Sequence, residues 1–442
     1  MERKQNILIV GAGITGLVCA LELLKKGYNV TVIEKENKVG GLARSFNYEN
    51  MIFDIGPHRF FSNKASINDY ILKIFNNDYI VIQRKSAVLF ENKYFSWPLN
   101  ILSVFKMSFK NIVNILKDIL FLEKKEIKNY EDFVKNKYGK TLYEAFFKDY
   151  AEKFFNIDAK NLSYVWAKES IDRVFIVKKM TTIFSVILYF IKNSFIKEKN
   201  FFYSNKKGIQ LFADNLFKQI VDFGGKINCS ADVNGIEIQD NKIVSISFNK
   251  EKEKNIDKVI WTAPITTISS LLNIKTTLEY TNLVLFNIII NGKNIKTEPN
   301  MYQWCYYGSK KILLNRISKP VLFSINNVSN NKDSVCVEVS CSNKDKIWIS
   351  PDIVKEKIIK ELILLDVIKT REDISEIFIE KIENVYPVYK VNFQNELNSV
   401  NEKLKTINNL YLAGRSGLFW YNNMDDSIEN ALTLSKKIYE DK

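Results

Sequence analysis

Three glycines near the N-terminus have the spacing of a dinucleotide-binding turn. Gly11, Gly13 and Gly16 directly follow a short apolar run, and Glu34 lies about twenty positions farther on. Gly11 permits a tight turn, Gly13 lets the backbone approach a pyrophosphate, and Gly16 lets a helix pack closely on a strand. The N-H groups at the start of that helix would bind phosphate. A carboxylate at Glu34 would hydrogen-bond ribose hydroxyls and argues against a 2′-phosphate, so the turn predicts FAD or NAD rather than NADP.

The elements around these glycines indicate a Rossmann-type βαβ unit. Residues 7–10 form an apolar run typical of a buried parallel strand. Residues 17–24 place Leu and Ala on one helix face, Gly27 ends that helix, and residues 30–33 form the second strand. Such a unit holds the glycine turn and the acidic residue at the same edge of a sheet.

Two further glycine turns favour an FAD site over an NAD site. Lys35 and a short spacer lead to the run Gly40-Gly41-Leu42-Ala43-Arg44, whose arginine could reach the pyrophosphate, and Leu410-Tyr411-Leu412-Ala413-Gly414-Arg415 comes late in the chain. Three turns in this order resemble the amine-oxidase-like flavoprotein superfamily. In that superfamily the second turn belongs to FAD binding and the late one approaches the flavin and its ribityl chain. The resemblance implies FAD as the cofactor.

Two segments narrow the resemblance to the UDP-galactopyranose mutase-like branch, with protoporphyrinogen oxidase-like relatives. One is Phe53-Asp54-Ile55-Gly56-Pro57-His58-Arg59-Phe60-Phe61, and the other is Tyr421-Asn422-Asn423-Met424-Asp425 after Gly414-Arg415. In those mutases a glycine-x-histidine loop lies against the flavin, and a tyrosine follows the arginine by six residues, a spacing that Tyr421 keeps. Asn423 replaces the first aspartate of the family's aspartate-methionine-aspartate run. The candidate cofactor-binding residues are Gly11, Gly13, Gly16, Glu34, Lys35, Gly41, Leu42, Arg44, His58, Val233, Gly414, Arg415 and Met424.

The same resemblance implies the reaction. The chain would be an FAD-dependent mutase that interconverts the pyranose and furanose rings of a UDP-hexose-like substrate through N5 of a reduced flavin, for surface polysaccharide biosynthesis, with NAD(P)H needed only to reduce the flavin initially. His58 would stack beside the isoalloxazine and tune its charge; the alternative is a loop histidine satisfied by a backbone carbonyl. The candidate catalytic residues are His58, Arg173, Arg316, Tyr421 and Asn423. The candidate substrate-binding residues are Arg59, Trp166, Arg173, Arg316, Tyr386, Tyr389 and Tyr421.

Several of these residues have a second interpretation. Arg173 and Arg316 match a diphosphate because guanidinium groups bind phosphate oxygens in pairs, but either could instead pair with a helix carboxylate. The aromatic residues could stack on uracil or sugar, or simply fill the core. For the whole chain, the first alternative is an FAD-dependent oxidoreductase of the amine-oxidase or protoporphyrinogen-oxidase kind, with net hydride transfer. A second is a catalytically silent partner or FAD-stabilised scaffold in an envelope-polysaccharide complex, in which replacing His58 or Tyr421 would leave the activity of the complex unchanged.

Composition excludes other classes of site. The chain of 442 residues contains one histidine, which rules out a multi-histidine zinc site, and its five cysteines include no pair with metal-ligand spacing. The net charge of +14 would attract anions, although scattered lysines give the same total by compositional drift alone. No zinc-finger, basic-helix or RNP-like pattern supports nucleic-acid binding.

The N-terminus and the apolar segments predict a cytoplasmic protein. Residues 1–6 are polar and lead directly into a strand, so no signal peptide is expected, and the cysteines fit buried thiols in a reducing compartment. The longest apolar stretches, 115–122 and 183–191, are too short to span a bilayer. Amphipathic helices within the fold explain them, with a shallow peripheral membrane contact as the alternative.

The chain pattern predicts an α/β fold with interleaved domains. A Rossmann-type FAD-binding domain would comprise residues 1–70, 200–265 and 405–442, where a strand ending at Trp261 returns the chain to the first sheet. A helical cap would comprise residues 71–199, and a mixed-sheet substrate domain residues 266–404. Within the last, we expect strands over 283–340 and a helix over 354–364, and a closing helix over 427–439.

Overall fold

The computed structural model describes residues 3–97, 106–121, 126–170, 200–292, 299–329 and 331–441. The strands are β1 (Asn6–Val10), β2 (Asn29–Ile33), β3 (Ser45–Tyr48), β4 (Met51–Asp54), β5 (Tyr79–Gln83), β6 (Ser86–Phe90), β7 (Lys93–Ser96), β8 (Asn200–Ser204), β9 (Lys226–Asn228), β10 (Val233–Gln239), β11 (Lys242–Phe248), β12 (Glu251–Lys254), β13 (Lys258–Trp261), β14 (Tyr280–Asn291), β15 (Trp304–Tyr307), β16 (Arg316–Ser318), β17 (Lys332–Cys341), β18 (Ile374–Pro387) and β19 (Leu410–Leu412). The α-helices are α1 (Ile14–Lys25), α2 (Ala65–Phe75), α3 (Phe109–Leu120), α4 (Tyr130–Leu142), α5 (Lys148–Phe155), α6 (Tyr164–Ser170), α7 (Gln210–Asp222), α8 (Ile265–Leu271), α9 (Lys346–Ile349), α10 (Lys355–Leu364), α11 (Phe393–Leu404), α12 (Gly414–Gly417) and α13 (Met424–Glu440).

A five-stranded parallel sheet carries the glycine turn. Its strand order is β19-β13-β1-β2-β9, so β1 lies in the centre and the late strands β13 and β19 extend the sheet on one side. Helix α1 packs against α7 and α13. The predicted βαβ unit and the return of the chain at Trp261 are therefore confirmed. Since the strands are parallel, their carboxyl ends meet at one edge, where open α/β sheets bind ligands.

A seven-stranded mixed sheet forms the second layer of the molecule. Its order is β18-β14-β17-β16-β15-β6-β7, and the long strand β14 pairs antiparallel with both β17 and β18. All of β14 except its last residue is buried, because helix α10 and neighbouring loops cover the faces of this sheet. The strands expected over 283–340 and the helices expected over 354–364 and 427–439 are confirmed, and the overall mixed α/β class is the one predicted.

The region expected to be helical from residue 71 onward contains three strands. Residues 79–83, 86–90 and 93–96 form β5, β6 and β7, so the helical prediction is wrong there. Short apolar runs do not distinguish a strand from a buried helix by spacing alone. These residues form strands because they pair with distant parts of the chain, β5 with β8 and β6 with β15. Helices α3 to α6 follow as expected, residues 183–191 lie outside the described ranges, and the exact domain boundaries stay a prediction.

Membrane and metal features can be checked in the described part of the chain. No helix there is long and apolar enough to cross a bilayer. The same residues contain no cluster of three or more histidine, cysteine or acidic side chains that could hold a metal ion. All five cysteines lie in the described ranges and none of them forms a disulfide bond; four are buried, as predicted, and Cys229 is partly exposed.

Lys153 fixes the loop between β15 and β16. Its Nζ atom lies within hydrogen-bonding distance of four backbone carbonyls from the end of β15 onward, which share its N-H donors: those of Tyr307, Ser309, Ile312 and Leu314. We expect Lys153→Met to lower the free energy of unfolding by about 1–3 kcal/mol, since the carbonyls lose their hydrogen-bond donor. Urea unfolding measures this. The exposed Lys140, whose Nζ lies 3.8 Å from the Glu144 carboxylate, provides a matched control: if Lys140→Met costs as much, the carbonyl contacts are not the cause.

Candidate functional site

A cleft opens at the carboxyl ends of the parallel strands. Its volume is about 450 Å³, within the range of small-molecule and cofactor sites. It reaches from the glycine turn to the mixed sheet. The predicted cofactor residues that line it are Gly11, Gly13, Glu34, Lys35, Gly41, Leu42, Arg44, His58, Val233, Gly414, Arg415 and Met424. Among the predicted cofactor residues, only Gly16 does not line it, and Gly16 packs behind the turn.

The three glycines of the turn differ in what surrounds them. A Cβ on Gly16 would lie 2.0 Å from the Gly11 carbonyl oxygen, so this position closes the packing of helix on strand. Gly11 has a φ of +103°, which favours glycine, and a Cβ there would meet the Thr262 hydroxyl at 2.5 Å. Gly13 has no atom within 4 Å of its Cβ position. The open space over Gly13 therefore faces the cleft, where a pyrophosphate would need to approach the backbone.

Glu34 is held at the end of β2 by backbone donors. Its Oε2 accepts from the Ala12 N-H at 2.6 Å and its Oε1 from the Glu36 N-H at 3.0 Å. Burial raises the pKa of this carboxyl group, while the Glu36 and Ala12 N-H groups and Arg44 oppose the rise. The carboxylate is thus fixed in orientation at the cleft wall, as a ribose-binding acid requires.

The second glycine turn is braced by its own arginine. The Arg44 guanidinium donates to the Gly41 carbonyl at 3.0 Å and pairs with Glu36 at 2.8 Å. Lys35 pairs at 2.8 Å with Glu383, a residue of β18 in the mixed sheet. Lys35 and Arg44 both line the cleft, and each already forms an ion pair with a carboxylate. Either side chain would therefore bind a pyrophosphate while it also contacts that carboxylate.

His58 lies at the opposite end of the cleft. It follows β4 and the turn at Gly56, whose φ is +75°, and its Nδ1 is buried without a hydrogen-bond partner. Burial lowers the pKa of His58 to about 3, and the positive charges of Arg415, Arg316 and Arg59 act in the same direction. The imidazole is therefore neutral near pH 7. An unpaired buried nitrogen at a cleft wall fits a site that receives a bound group.

The His58 pKa predicts a pH dependence of stability. Below pH 6.5 the unfolded chain takes up a proton that the folded chain does not accept until about pH 3, so folding weakens as pH falls through this window. We expect His58→Gln to remove this component, up to about 1.4 kcal/mol per pH unit. Urea unfolding of both proteins between pH 7 and pH 4 measures it. Parallel curves for the two proteins would contradict the assignment.

Arg316 and Glu338 form a buried ion pair under the His58 loop. The Arg316 Nε and Nη2 atoms donate to the two Glu338 carboxylate oxygens, each at 2.6 Å. A Cβ on Gly56 would lie 2.8 Å from both partners, so glycine there lets the loop pass over the pair. The Arg316 guanidinium also lies 5.7 Å from the Tyr306 ring centroid. The carboxylate pairing predicted as an alternative for Arg316 is present, although its partner is on a strand rather than a helix.

Arg415 is positioned by the segment that precedes α13. It donates to the Asn422 backbone carbonyl, to the Asn422 side chain at 3.3 Å and to the Val385 carbonyl at 3.4 Å. Its guanidinium lies 5.2 Å from the Tyr386 ring and 5.9 Å from the Tyr421 ring. Burial raises the pKa of Tyr421, with Tyr386 adding to the rise and Arg415 opposing it, so the phenol keeps its proton.

Asn423 begins helix α13 with a capping box. Its side chain accepts from the backbone of Asp426, whose carboxylate accepts from the Asn423 N-H at 2.8 Å. Asparagine caps a helix as well as aspartate does. Asn423 and Met424 both line the cleft. The replacement of aspartate by asparagine therefore preserves the helix start while removing one negative charge from the cleft.

The remaining predicted substrate residues are not all at the cleft. Trp166 is buried against Tyr130 and Phe155, with ring centroids 5.1 Å and 4.8 Å away. These contacts place Trp166 in the hydrophobic core, and its role in substrate binding stays a prediction. Tyr389 is also buried; its hydroxyl accepts from the Tyr421 N-H at 2.8 Å and so positions Tyr421. Arg173 lies outside the described residues.

Other cleft residues were not predicted from the sequence. Thr262 follows β13, and its hydroxyl donates to the Val10 and Gly11 carbonyls at 2.9 Å and 3.0 Å, which ties the glycine turn to the next strand. Asn384 and Ser427 also line the cleft. The end of β13 at Trp261 is the signal that could have identified Thr262, because residues after parallel strands face the binding edge.

A Rossmann sheet whose glycine turn, ribose-binding acid and second glycine turn open into one cleft defines a dinucleotide-binding flavoprotein. Comparison with known families agrees: the profile described as flavin containing amine oxidoreductase matches residues 14–284, more than half of the chain. The chain therefore belongs to that family, and its cofactor is FAD. The open space over Gly13, the fixed carboxylate of Glu34 and the unpaired nitrogen of His58 fit this group.

Individual relatives indicate a branch of the family. A probable UDP-galactopyranose mutase of Klebsiella pneumoniae is 30% identical over 167 residues, which is 36% of this chain and 43% of the relative, less than half of its length. A crystal structure of reduced UDP-galactopyranose mutase aligns with this chain at a TM-score of 0.84 and 20% identity. The alignment covers 100% of this chain and 95% of the mutase chain. A putative protoporphyrinogen oxidase from Exiguobacterium sp. 255-15 covers 100% of both chains, with a TM-score of 0.76 at 15% identity. The two structural alignments show that this chain shares the fold of those proteins.

Proposed function

We propose that this chain is an FAD-dependent sugar-nucleotide mutase, which interconverts the ring forms of a UDP-hexose-like substrate for surface polysaccharide biosynthesis. One observation carries the proposal. A neutral histidine and an arginine, His58 and Arg415, line the FAD cleft. A second arginine and two tyrosines lie close to them: Arg316, Tyr386 and Tyr421. Cations and aromatic rings are the groups that a diphosphate and a sugar require, and the relative from Klebsiella pneumoniae carries the name of such a mutase.

The proposed cofactor contacts follow from the cleft wall. The pyrophosphate would bind at the turn of Gly11, Gly13 and Gly16 and at the N-terminus of α1. Glu34 would bind the ribose. The flavin would lie near Gly414 and the start of α13. Bound and reduced, FAD supplies a nucleophilic N5 atom, so the side chains need not include a strong acid–base pair. This fits a cleft whose one imidazole is neutral and whose tyrosine keeps its proton.

The arginines have separate proposed tasks. Arg415 lines the cleft and is anchored by the Val385 carbonyl and by the carbonyl and side-chain oxygens of Asn422. Arg316 gives one edge of its guanidinium to Glu338 and would use the other on the diphosphate. Both would retain the leaving nucleoside diphosphate so that it can return to the sugar. Arg173 is proposed for the same diphosphate.

His58 and Tyr421 would shape the flavin end of the cleft. A neutral imidazole places a dipole, not a third cation, beside the arginines, and its unpaired Nδ1 can accept or donate one hydrogen bond to a bound group. Tyr421 is fixed through its backbone by the Tyr389 hydroxyl, and its phenol can donate to a sugar or phosphate oxygen.

Turnover of the reduced protein tests the proposal. Dithionite-reduced protein is incubated anaerobically with UDP- and dTDP-hexopyranoses, and the products are separated by chromatography. We expect one nucleotide sugar to be converted to a ring isomer of equal mass. His58→Gln and Tyr421→Phe are expected to lower its turnover at least about tenfold, and the exposed Tyr439→Phe to leave it unchanged. Unchanged turnover in both site variants would contradict the proposed roles of His58 and Tyr421, and no isomer with any sugar would reject the mutase.

Net oxidation is the second candidate function. Its support is the family itself, which is described as an oxidoreductase family, together with Arg59 and Asn423, which depart from the mutase pattern. An oxidase or dehydrogenase uses oxidised flavin and reduces it with each substrate molecule, whereas the mutase requires flavin that is reduced beforehand. The two candidates therefore differ in which redox state of the protein is active.

A further inference from the structure

Helix α3 has an apolar stripe on the side that faces solvent. Three large side chains, seven and four residues apart, lie on one face of this helix: Phe109, Leu116 and Leu120. They are 82%, 45% and 60% exposed, and Phe121 directly after the helix is 78% exposed. The stripe is about 16 Å long, because a helix rises about 1.5 Å per residue. Large apolar side chains grouped in this way, rather than scattered singly, mark an interaction surface.

The opposite side of α3 attaches the helix to the fold. Ile115 is buried in the hydrophobic core, and Ile112 packs against the same core. The Asp118 carboxylate accepts a hydrogen bond at 2.5 Å from the Thr141 N-H in helix α4. These contacts fix how the helix is turned about its own axis. The apolar stripe therefore stays on the outside, although the side chains that the core needs are supplied by the other face.

Lysines lie beside the stripe. Lys110 and Lys117 are both exposed and are seven residues apart, so they share one flank of the helix next to the stripe. Residues 106–128 contain six lysines and three acidic residues, and the carboxylate of one of these acids, Asp118, is turned towards α4. Lysine side chains cover apolar surface with their stems and carry the ammonium group to its edge. The surface is therefore apolar at its centre and positively charged at its margin.

We propose that α3 docks on an anionic lipid surface, with the apolar stripe among the lipid chains and with Lys110 and Lys117 on the headgroup phosphates. Helices that lie in a membrane interface have this composition, Phe and Leu on one face and lysine beside them. A second copy of the chain is a poorer match, because it would add the same lysines to the contact and each copy has a net charge of +14. The proposal is independent of the substrate, since none of the described residues that line the cleft belongs to α3.

Vesicle binding by the FAD-loaded protein tests this proposal. The full chain is sedimented with vesicles of phosphatidylcholine alone, or of phosphatidylcholine mixed with phosphatidylglycerol. We expect it to bind the anionic vesicles at least about tenfold more tightly than the neutral ones. Phe109→Ser with Leu120→Ser is expected to weaken this binding at least about tenfold, because two apolar side chains no longer leave water. Lys110→Gln with Lys117→Gln is expected to do the same, since each lysine near an anionic surface contributes roughly fivefold.

Matched variants on other elements keep the test specific. Leu364→Ser with Ile349→Ser removes two apolar side chains that are 75% and 68% exposed on α10 and α9. Lys250→Gln with Lys275→Gln removes the same charge from exposed positions outside α3. We expect both control proteins to bind anionic vesicles like the wild type. All variants are expected to keep the flavin spectrum and the circular dichroism of the wild type, because the substituted side chains are exposed.

The other outcomes would overturn the proposal. Absence of binding to either kind of vesicle would do so, and so would equal binding to both. A weakening in the control proteins as large as in the α3 variants would show that exposed apolar or charged residues anywhere suffice. Light scattering of the protein alone tests the second copy. A dimer that Phe109→Ser with Leu120→Ser dissociates, without vesicle binding by the wild type, would assign the stripe to a contact between two copies.

Discussion

Gly13→Val is expected to fold and to lose FAD. Valine fits the apoprotein because Gly13 has a φ of −71° and no atom within 4 Å of its Cβ position. The valine methyls would occupy the space where the pyrophosphate approaches the backbone. We expect FAD affinity to fall at least about a hundredfold, since overpacking and a lost charged hydrogen bond each cost about 1–3 kcal/mol. Flavin fluorescence titration of the apoprotein measures the affinity, and circular dichroism measures the fold.

Two glycine variants make this result specific. Gly235→Val also adds a side chain to a half-buried glycine, where the nearest atom lies 3.5 Å from the Cβ position, and we expect FAD binding to be unchanged. Gly16→Val is expected to destabilise the apoprotein itself, because its Cβ would overlap the Gly11 carbonyl. If Gly13→Val bound FAD normally, or failed to fold in the same way as Gly16→Val, the predicted pyrophosphate contact would be wrong.

Arg316→Met is expected to produce a large loss of stability. Glu338 is 1% exposed and would keep a buried charge without its partner, which costs about 3–5 kcal/mol. Urea unfolding at saturating FAD measures the loss. Arg371→Met breaks an exposed ion pair with Glu356 and is expected to cost less than about 1 kcal/mol.

The double variant Arg316→Met with Glu338→Gln separates charge from packing. We expect it to be more stable than Arg316→Met alone, because the unpaired carboxylate is gone. It is also expected to bind nucleotide sugars weakly, since the edge of Arg316 proposed for the diphosphate is lost as well. A double variant less stable than the single one would show that packing around the guanidinium, rather than the buried charge, holds this part of the site together.

The sequence was sufficient to predict where the residues proposed for nucleotide binding lie. The positions of Gly11, Gly13, Gly16 and Glu34 follow from a strand, a turn and a helix that are contiguous in the chain. The two later glycine turns were placed by their resemblance to a family, and both line the same cleft. Tyr421 was predicted in the same way and lies beside Arg415.

Long-range pairing accounts for what the sequence missed. Strands β5 and β6 are short, and their partners β8 and β15 are more than a hundred residues away, so apolar spacing alone predicted helix. Strand β7 joins the same sheet through its pairing with β6. The buried partner of Arg316 was also unpredictable, because Glu338 meets it only through the pairing of β16 with β17. The same pairing of β6 with β15 brings Arg84 to Trp304, which no motif in the sequence indicated.

Flavin absorbance during turnover tests the central claim most directly. Under anaerobic conditions the nucleotide sugar is added to the oxidised protein, and then to protein that dithionite has reduced. The mutase predicts that the oxidised flavin band keeps its intensity, and that the reduced protein converts many equivalents of sugar while its flavin stays reduced. Stoichiometric bleaching of the oxidised flavin by the substrate would contradict the redox-neutral reaction and assign the chain to net oxidation.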